Sequence, residues 1–238
     1  MNYPMQLADM QNDVLSRLGE SFNSPAGLLP TGTGGAAVIA TLQTATDYLN
    51  EAAADLARMA QPLPDMGTCS LGSGVRYLSF NALTLSSGNF MWAARAVVWD
   101  GMQLQHCKRA KLERWFPTYL TDASGDPQYW YEFGTSIGFY PVPASTETVS
   151  VDGLVTPKPM VEGSDTLPFE PDQIKLVIFQ AAGRLAVKNV QNTSLAARGQ
   201  VWMGAANTGF QATLLENWQR DPDLMRAHYP QPGTPVAT

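Results

Sequence analysis

The spacing of apolar residues changes twice along this chain, and that change restricts its fold more than any other feature. Near both ends of the 238 residues, apolar side chains recur at steps of three and four, which is the spacing of one helix face. Between these parts the helical spacing is lost, and short apolar runs alternate with glycine and proline, as in strands joined by turns. The sequence therefore predicts an α+β fold: a helical bundle from the N- and C-terminal parts, with an inserted antiparallel β-sandwich or barrel module.

Two helices are predicted before the β-rich module. The first ends at Gly19 and carries, at helical spacing, Leu7, Met10, Val14 and Leu18. The second begins near Ala36, after a loop rich in glycine. Its apolar stripe is formed by Val38, Leu42, Ala45, Leu49, Ala52, Leu56 and Met59. Pro62 and Pro64 end this helix, because proline cannot continue helical hydrogen bonding.

Six strands are predicted in the middle module, at residues 77–80, 96–99, 102–104, 129–133, 137–140 and 149–155. Asp100-Gly101 lies between two of these runs and predicts a two-residue hairpin. Several short strands at this spacing are typical of a β-sandwich or barrel.

Two helices are predicted after the module. The first opens with Pro171 and Asp172, which suit the first turn of a helix. Apolar residues on several of its faces predict that it is buried on more than one side. The second follows a break at residues 192–194, and its stripe is Trp202, Ala206, Phe210, Leu214 and Trp218. Three glycines in it, Gly199, Gly204 and Gly209, each weaken the helix by roughly 1 kcal/mol relative to alanine. They either allow another helix to approach closely or mark a kink.

These patterns divide the chain into four segments. We expect a first helical part at residues 1–64, the β-rich module at 65–168, a second helical part at 169–228 and an extended C-terminal arm at 229–238. The arm has three prolines and no charged residue, so by itself it is expected to be disordered. Two interpretations stay open for it: a segment that docks on a neighbouring protein, or a frayed terminus.

No metal or cofactor site is predicted. The only histidines and cysteines are Cys69, His106, Cys107 and His228, and their spacing contains no paired motif of a zinc site. The two cysteines are expected to be free thiols. Residues 31–35 form a Gly-Thr-rich loop without the lysine of a phosphate-binding loop.

No catalytic constellation is predicted either, and the chain is not expected to be an enzyme. The Gly72-Ser73-Gly74 segment is typical of a turn and not of a nucleophile elbow. The acids of the module are Asp122, Asp126, Glu132 and Asp152. All of them lie in turns or beside exposed positions, so none is assigned to a pair for glycoside hydrolysis.

The charge pattern argues against a nucleic-acid-binding surface and against a membrane span. The net charge is −6 and only 15% of the residues are charged, whereas nucleic-acid binders cluster Lys and Arg. The densest basic run is Lys108, Arg109, Lys111 and Arg114, which we interpret as a solvated strand face. The low charge fits either faces covered by partners or a soluble monomer rich in small residues. No run of about 18 apolar residues occurs.

The aromatic run Tyr129-Trp130-Tyr131 permits a different function. Alternation along a strand places Tyr129 and Tyr131 on one face and Trp130 on the other. One face would then belong to the core and the other to the surface. The exposed aromatics predict either a carbohydrate-binding module or, more simply, a sandwich core with one exposed ring.

The order of parts resembles a head-to-tail adaptor, or connector, protein of tailed bacteriophages. The resemblance covers most of the chain and is most specific between residues 115 and 143. Its motifs are Trp115-Phe-Pro117, Ser124-Gly-Asp-Pro127, Tyr129-Trp-Tyr131 and Ile137-Gly-Phe-Tyr-Pro-Val-Pro143.

The resemblance implies a structural role in the virion neck. Such proteins assemble in the host cytoplasm as a dodecameric homo-oligomer ring under the portal after genome packaging. They retain the DNA without reading its sequence and provide the platform for tail proteins. The C-terminal arm would reach the portal, through Tyr229, Pro230, Pro232 and Pro235. A phage tail-tube or neck protein, and a carbohydrate-binding module, are the alternatives.

Overall fold

The structure, a computed structural model, describes residues 5–18, 42–85, 88–188 and 193–220 of the chain. The helices in these ranges are α1 (Leu7–Arg17), α2 (Leu42–Met59), α3 (Arg109–Trp115), α4 (Pro171–Lys188) and α5 (Thr193–Arg220). The strands are β1 (Pro64–Leu71), β2 (Tyr77–Ser79), β3 (Thr84–Leu85), β4 (Phe90–Trp99), β5 (Met102–Gln103), β6 (Gln105–His106), β7 (Tyr129–Phe133), β8 (Ser136–Tyr140) and β9 (Glu147–Thr156).

The chain folds as two units, a helical one and a β-rich one. The helical unit contains the described residues up to Gln61 and those from Pro159 onward, and the β unit is Pro62–Lys158. Residues 159–168, which the sequence pattern assigned to the β-rich module, therefore lie with the helices. The four-segment division itself stays a prediction, because the arm at 229–238 lies outside the described residues.

Helices from both ends of the chain pack together in the helical unit, as predicted. α4 contacts α1, α2 and α5, so it is surrounded by helices and buried on several sides. This explains why Val177, Ala181 and Leu185 are buried together with Gln180 and Gly183. The predicted α+β fold with a helical bundle is confirmed.

The predicted stripe of the second helix is confirmed in its middle and wrong at its end. Ala45, Leu49, Ala52 and Leu56 are buried on α2, whereas Met59 is 49% exposed. At its end the buried face of the helix runs instead through Ala53, Ala57 and Ala60, which are at most 1% exposed. The start predicted near Ala36, with Val38, lies outside the described residues, as does the glycine-rich loop before it.

The β unit is a sandwich of two sheets. The five-stranded sheet has the order β3-β1-β9-β4-β5, and the four-stranded sheet has the order β2-β8-β7-β6. Their inner faces share one core, which includes Val97, Val151, Trp130, Ile137 and Phe139. All strand pairs are antiparallel except β6 with β7, which is parallel.

The predicted hairpin at Asp100-Gly101 is confirmed. Asp100 and Gly101 have φ of 45° and 76°, and they join Trp99 to its cross-strand partner Met102. Two left-handed residues in a two-residue loop match the twist of the flanking strands.

Strand β1 was not predicted, because its sequence lacks a run of apolar residues. Its inward positions are filled by Gly67, the partly buried Cys69 and Leu71. The strand is nevertheless paired along its whole length with β9. Small inward residues hide the alternation on which strand prediction depends.

The interpretation of the basic run as a strand face was wrong. Arg109, Lys111 and Arg114 lie on helix α3, and the segment after it, to Thr121, is built from turns. Leu112 of this helix and Tyr119 of the turns are buried in one small core.

Candidate interaction surfaces

Helix α3 and the turn that follows it cover the outer face of the four-stranded sheet. They form a second core, in which the buried residues are Cys107, Leu112, Tyr119, Tyr131 and Tyr140. Strand β7 is therefore buried on both faces: Trp130 points into the sandwich, and Tyr131 points under the α3 layer. The prediction that one of these faces is surface was wrong.

Tyr131 lies across the backbone of its cross-strand partner Gly138. A Cβ built on Gly138 would overlap the Tyr131 ring, at 2.3 Å from Cζ. The ring also meets Tyr77 and Tyr119 edge-on, with centroids 6.4 and 6.3 Å away. Since Tyr131 is fully buried, it offers no open platform for a sugar ring.

A charged hydrogen bond fastens the turn after α3 to strand β8. The Tyr140 hydroxyl donates to the Asp122 carboxylate at 2.7 Å. This bond, helped by one from Thr118, lowers the pKa of Asp122. Burial, followed by the bond to Asp122, raises the pKa of Tyr140 to about 12. A second hydrogen bond also holds this turn, since the Arg76 guanidinium donates to the Leu120 carbonyl at 3.1 Å.

The outward side of α3 carries positive charge beside an exposed indole. Arg109 is paired with Glu113 at 2.8 Å, but Lys108, Lys111 and Arg114 form no ion pair with any described residue. The Lys111 ammonium lies 4.2 Å from the centroid of the Trp115 ring, and Trp115 is 46% exposed. We call Lys108, Lys111, Arg114 and Trp115 the α3 patch.

Residues 159–165 of the helical unit form an exposed loop with a fixed backbone. The Asn50 amide donates to the Met160 carbonyl at 3.0 Å and accepts from the Met160 N–H at 2.9 Å. The Asp165 carboxylate accepts from the N–H groups of Val161 and Glu162. We call this segment the Asn50 loop.

The Asn50 loop also receives the first free N–H groups of α1. Leu7 donates to the Asp165 carbonyl at 2.7 Å, and Ala8 donates to the Gly163 carbonyl at 3.1 Å. These bonds satisfy helix donors that have no partner within the helix. At the loop surface Val161 is 77% exposed, and Glu162 is exposed as well.

Helix α5 has one buried face and one exposed face without charge. Its buried side holds Ala206, Phe210 and Leu214 from the predicted stripe. Residues 199–215 contain no charged side chain, and on the outer side Val201 is 71% and Leu215 48% exposed. An uncharged exposed helix face of this length favours burial against another molecule.

Of the four residues considered for metal binding, the structure describes Cys69, His106 and Cys107. Cys69 and Cys107 are free thiols, as predicted, and Cys107 is buried in the second core. His106 packs its ring against Trp130, with centroids 4.4 Å apart, while His228 lies outside the described residues. The described residues contain no group of three or more His, Cys, Asp and Glu that could hold a metal ion.

Each acid of the β unit that was considered for catalysis has a separate environment. Glu132 accepts a hydrogen bond from the Ala94 N–H at 3.2 Å, next to a register irregularity in β4. Asp152 lies 4.0 Å from Arg95, and Asp126 is exposed.

The Gly72-Ser73-Gly74 segment lies in a turn, as predicted. Ser73 donates to the Ala144 carbonyl at 2.8 Å. In the described ranges, no helix combines the length and the apolar character needed to cross a bilayer.

The predicted portal-binding residues Tyr229, Pro230, Pro232 and Pro235 lie outside the described residues. The structure instead shows two exposed surfaces, the α3 patch and the Asn50 loop, which the sequence patterns did not identify. The i, i+3 spacing of Lys108, Lys111 and Arg114 was a signal for one side of a helix. No comparable signal exists for Asn50, whose partner is 110 residues away.

Comparison with known proteins gives one family. The family model described as SU10 adaptor protein matches residues 5–233. No curated protein matches the chain.

Proposed function

Because this chain belongs to the SU10 adaptor protein family, it is a structural adaptor protein of a phage, and we propose that it forms a ring between the portal and the tail. The match over residues 5–233 carries this proposal. It spans both units, so neither is an addition foreign to the family. The family is a structural one and not a known enzyme family.

A ring needs surfaces that neighbouring copies can cover, and the helical unit offers one. The outer face of α5 has no charge between residues 199 and 215, so its burial requires no removal of ions from water. The low overall charge of the chain supports the same assembly. We propose that α5 packs against a neighbouring protomer.

The proposed ring surrounds the DNA channel without binding the DNA tightly. A net charge of −6 repels the phosphate backbone at long range, which suits a wall past which DNA must move. The β unit, in this proposal, provides the platform for tail proteins. The uncharged arm at 229–238 reaches the portal through Tyr229, Pro230, Pro232 and Pro235.

Electron microscopy of phage particles that carry a tagged copy of the chain tests this function. We expect a ring at the neck, between the portal and the tail. Particles made without the chain should lose their DNA or remain without tails. A label distributed along the tail tube would instead favour the tail-tube alternative, and a label absent from particles would contradict a virion role.

A further inference from the structure

The charges of this chain are divided unevenly between its two units. Residues 62–158 contain seven Lys or Arg and eight Asp or Glu. The rest of the chain contains eight Lys or Arg and thirteen Asp or Glu. Within the β unit, residues 108–115 hold four basic residues and one acidic residue. The α3 patch is therefore a local positive surface on a chain that is acidic elsewhere.

The α3 patch also has the composition of a protein-binding surface. Tryptophan and arginine are enriched where proteins bind each other, and the exposed Trp115 has the Lys111 ammonium 4.2 Å from its ring centroid. On the opposite side of α3, Leu112 and Phe116 pack into the second core. The patch therefore lies on a helix whose position is fixed by packing. Its partner should combine carboxylates with an exposed apolar side chain.

The Asn50 loop has this complementary chemistry. Glu162 and Asp9 are exposed and form no ion pair with a described residue. Both lie beside the backbone bond between Ala8 and Gly163. Val161 supplies the apolar group, since it is 77% exposed.

We propose that the α3 patch of one protomer binds the Asn50 loop of a second copy of this chain. A positive patch cannot face its own copy across a two-fold axis, because like charges repel. A contact between two different surfaces is heterologous, and a repeated heterologous contact closes into a ring or continues as a filament. The inference rests on the proposed ring and assigns to it one electrostatic contact between neighbours.

Charge reversal on each surface, followed by mixing, tests the contact. The variants K111E/R114E and D9K/E162K each place like charges together, so each by itself should lose association about tenfold or more. In an equimolar mixture every contact can again join opposite charges, if the two variants alternate. We therefore expect mixed oligomers with equal numbers of both variants.

Two readouts make the test independent of how strongly the free chain associates. Sedimentation velocity of the full chain measures association in solution, at ~50 mM and ~500 mM salt, because salt screens such contacts. Assembly in the virion is measured with a phage that lacks the gene for the wild-type chain, while the variants are expressed from a plasmid. Neither variant alone should yield tailed particles, and co-expression of both should restore them.

The control reverses two charges elsewhere on the surface. R58E/R220E carries the same change in net charge as K111E/R114E at two exposed positions, and it should associate and assemble like the wild type. Melting temperatures show whether each variant is folded. If K111E/R114E does not fold, K111A/R114A replaces it and should weaken association. Mixing it with D9K/E162K should restore only the half of the contacts that join the intact patch of one variant to the intact loop of the other.

Three results would overturn the contact. The first is normal assembly of K111E/R114E alone, and the second is failure of the mixture to assemble. The third is a K111E/R114E chain that associates normally but no longer retards duplex DNA in a gel, which would assign the patch to DNA. Absence of the wild-type chain from the neck would instead contradict the proposed ring.

Discussion

Gly183 of α4 and Gly199 of α5 lie so close that a Cβ on either would stand 2.8 Å from the carbonyl oxygen of the other. The two helices can approach to this distance only because both residues lack a side chain. The sequence offered two explanations for Gly199, and the close approach of another helix is the one confirmed.

Alanine at Gly199 should destabilise the helical unit by about 1–2 kcal/mol, because overpacking outweighs the gain in helix propensity. The control is Gly204, whose added Cβ would meet nothing within 4 Å. Gly204→Ala should stabilise the chain by up to about 1 kcal/mol. Urea denaturation measures the free energy of unfolding of both variants. Stabilisation by Gly199→Ala would mean that α4 and α5 can move apart at little cost and would contradict this prediction.

Loss of the Asn50 amide should release the Asn50 loop. Asn50→Ala removes both hydrogen bonds to Met160 and should cost about 1–3 kcal/mol. The amide hydrogens of Leu7 and Ala8, which are bonded to this loop, should then exchange faster in a hydrogen-exchange experiment. Asn207→Ala, at an exposed position of α5, is the control and should leave that exchange unchanged.

The bond between Tyr140 and Asp122 should make the stability of the β unit depend on pH. The folded state lowers the Asp122 pKa from its ordinary value of 3.8. The carboxylate therefore contributes fully above that value, and its contribution is lost as the pH falls through the lower folded pKa. The Tyr140 pKa is raised from 10.0 to about 12, so its contribution is full below pH 10.0 and is lost as the pH rises towards 12.

Tyr140→Phe removes this bond and should therefore remove both the acidic and the alkaline part of this pH dependence. The difference in melting temperature between the wild type and this variant should be largest near neutral pH and should shrink at either extreme. Tyr129→Phe is the control, because the Tyr129 ring packs in the same core and its hydroxyl makes no such bond with a described carboxylate. A constant difference for Tyr140→Phe across the pH range would contradict the assignment.

A charge on the outer face of α5 should impair assembly and spare the fold. Val201 is 71% exposed, so Val201→Asp should change the free energy of unfolding by no more than about 0.5 kcal/mol. We expect particles to incorporate this variant poorly, because the contact would bury an unpaired carboxylate. Asn81→Asp adds the same charge at an exposed position of the β unit and should be incorporated normally.

Deletion of residues 230–238 should weaken docking to the portal and leave the melting temperature nearly unchanged. The physical reason is that the arm has no charge and no apolar periodicity, so we do not expect it to stabilise the core. Co-purification with the portal measures docking, and differential scanning calorimetry measures stability. A large fall in melting temperature would mean that the arm belongs to the core instead.

The helices and most strands could be predicted because their signals are local. The stripe of α2, the hairpin at Asp100-Gly101 and strands β7, β8 and β9 follow from spacing and turn chemistry within a few residues. The α3 segment was predicted wrongly, since the basic run from Lys108 to Arg114 was interpreted as a strand face. Whether such a segment is a strand or a helix depends on what it covers, and the sequence does not contain that information locally.

By itself, the sequence determined the two helical parts, the β-rich insertion between them and, through the motifs at residues 115–143, a resemblance to phage adaptors. Only the tertiary structure decided that β7 is buried on both faces, that α3 exposes cations without an ion pair to any described residue, and that Asn50 holds Met160. Periodicity reports which residues of one element share a face, and nothing more. Whether a face is covered, and whether a polar group finds a partner, depends on residues that are distant in the chain and meet only in the folded state.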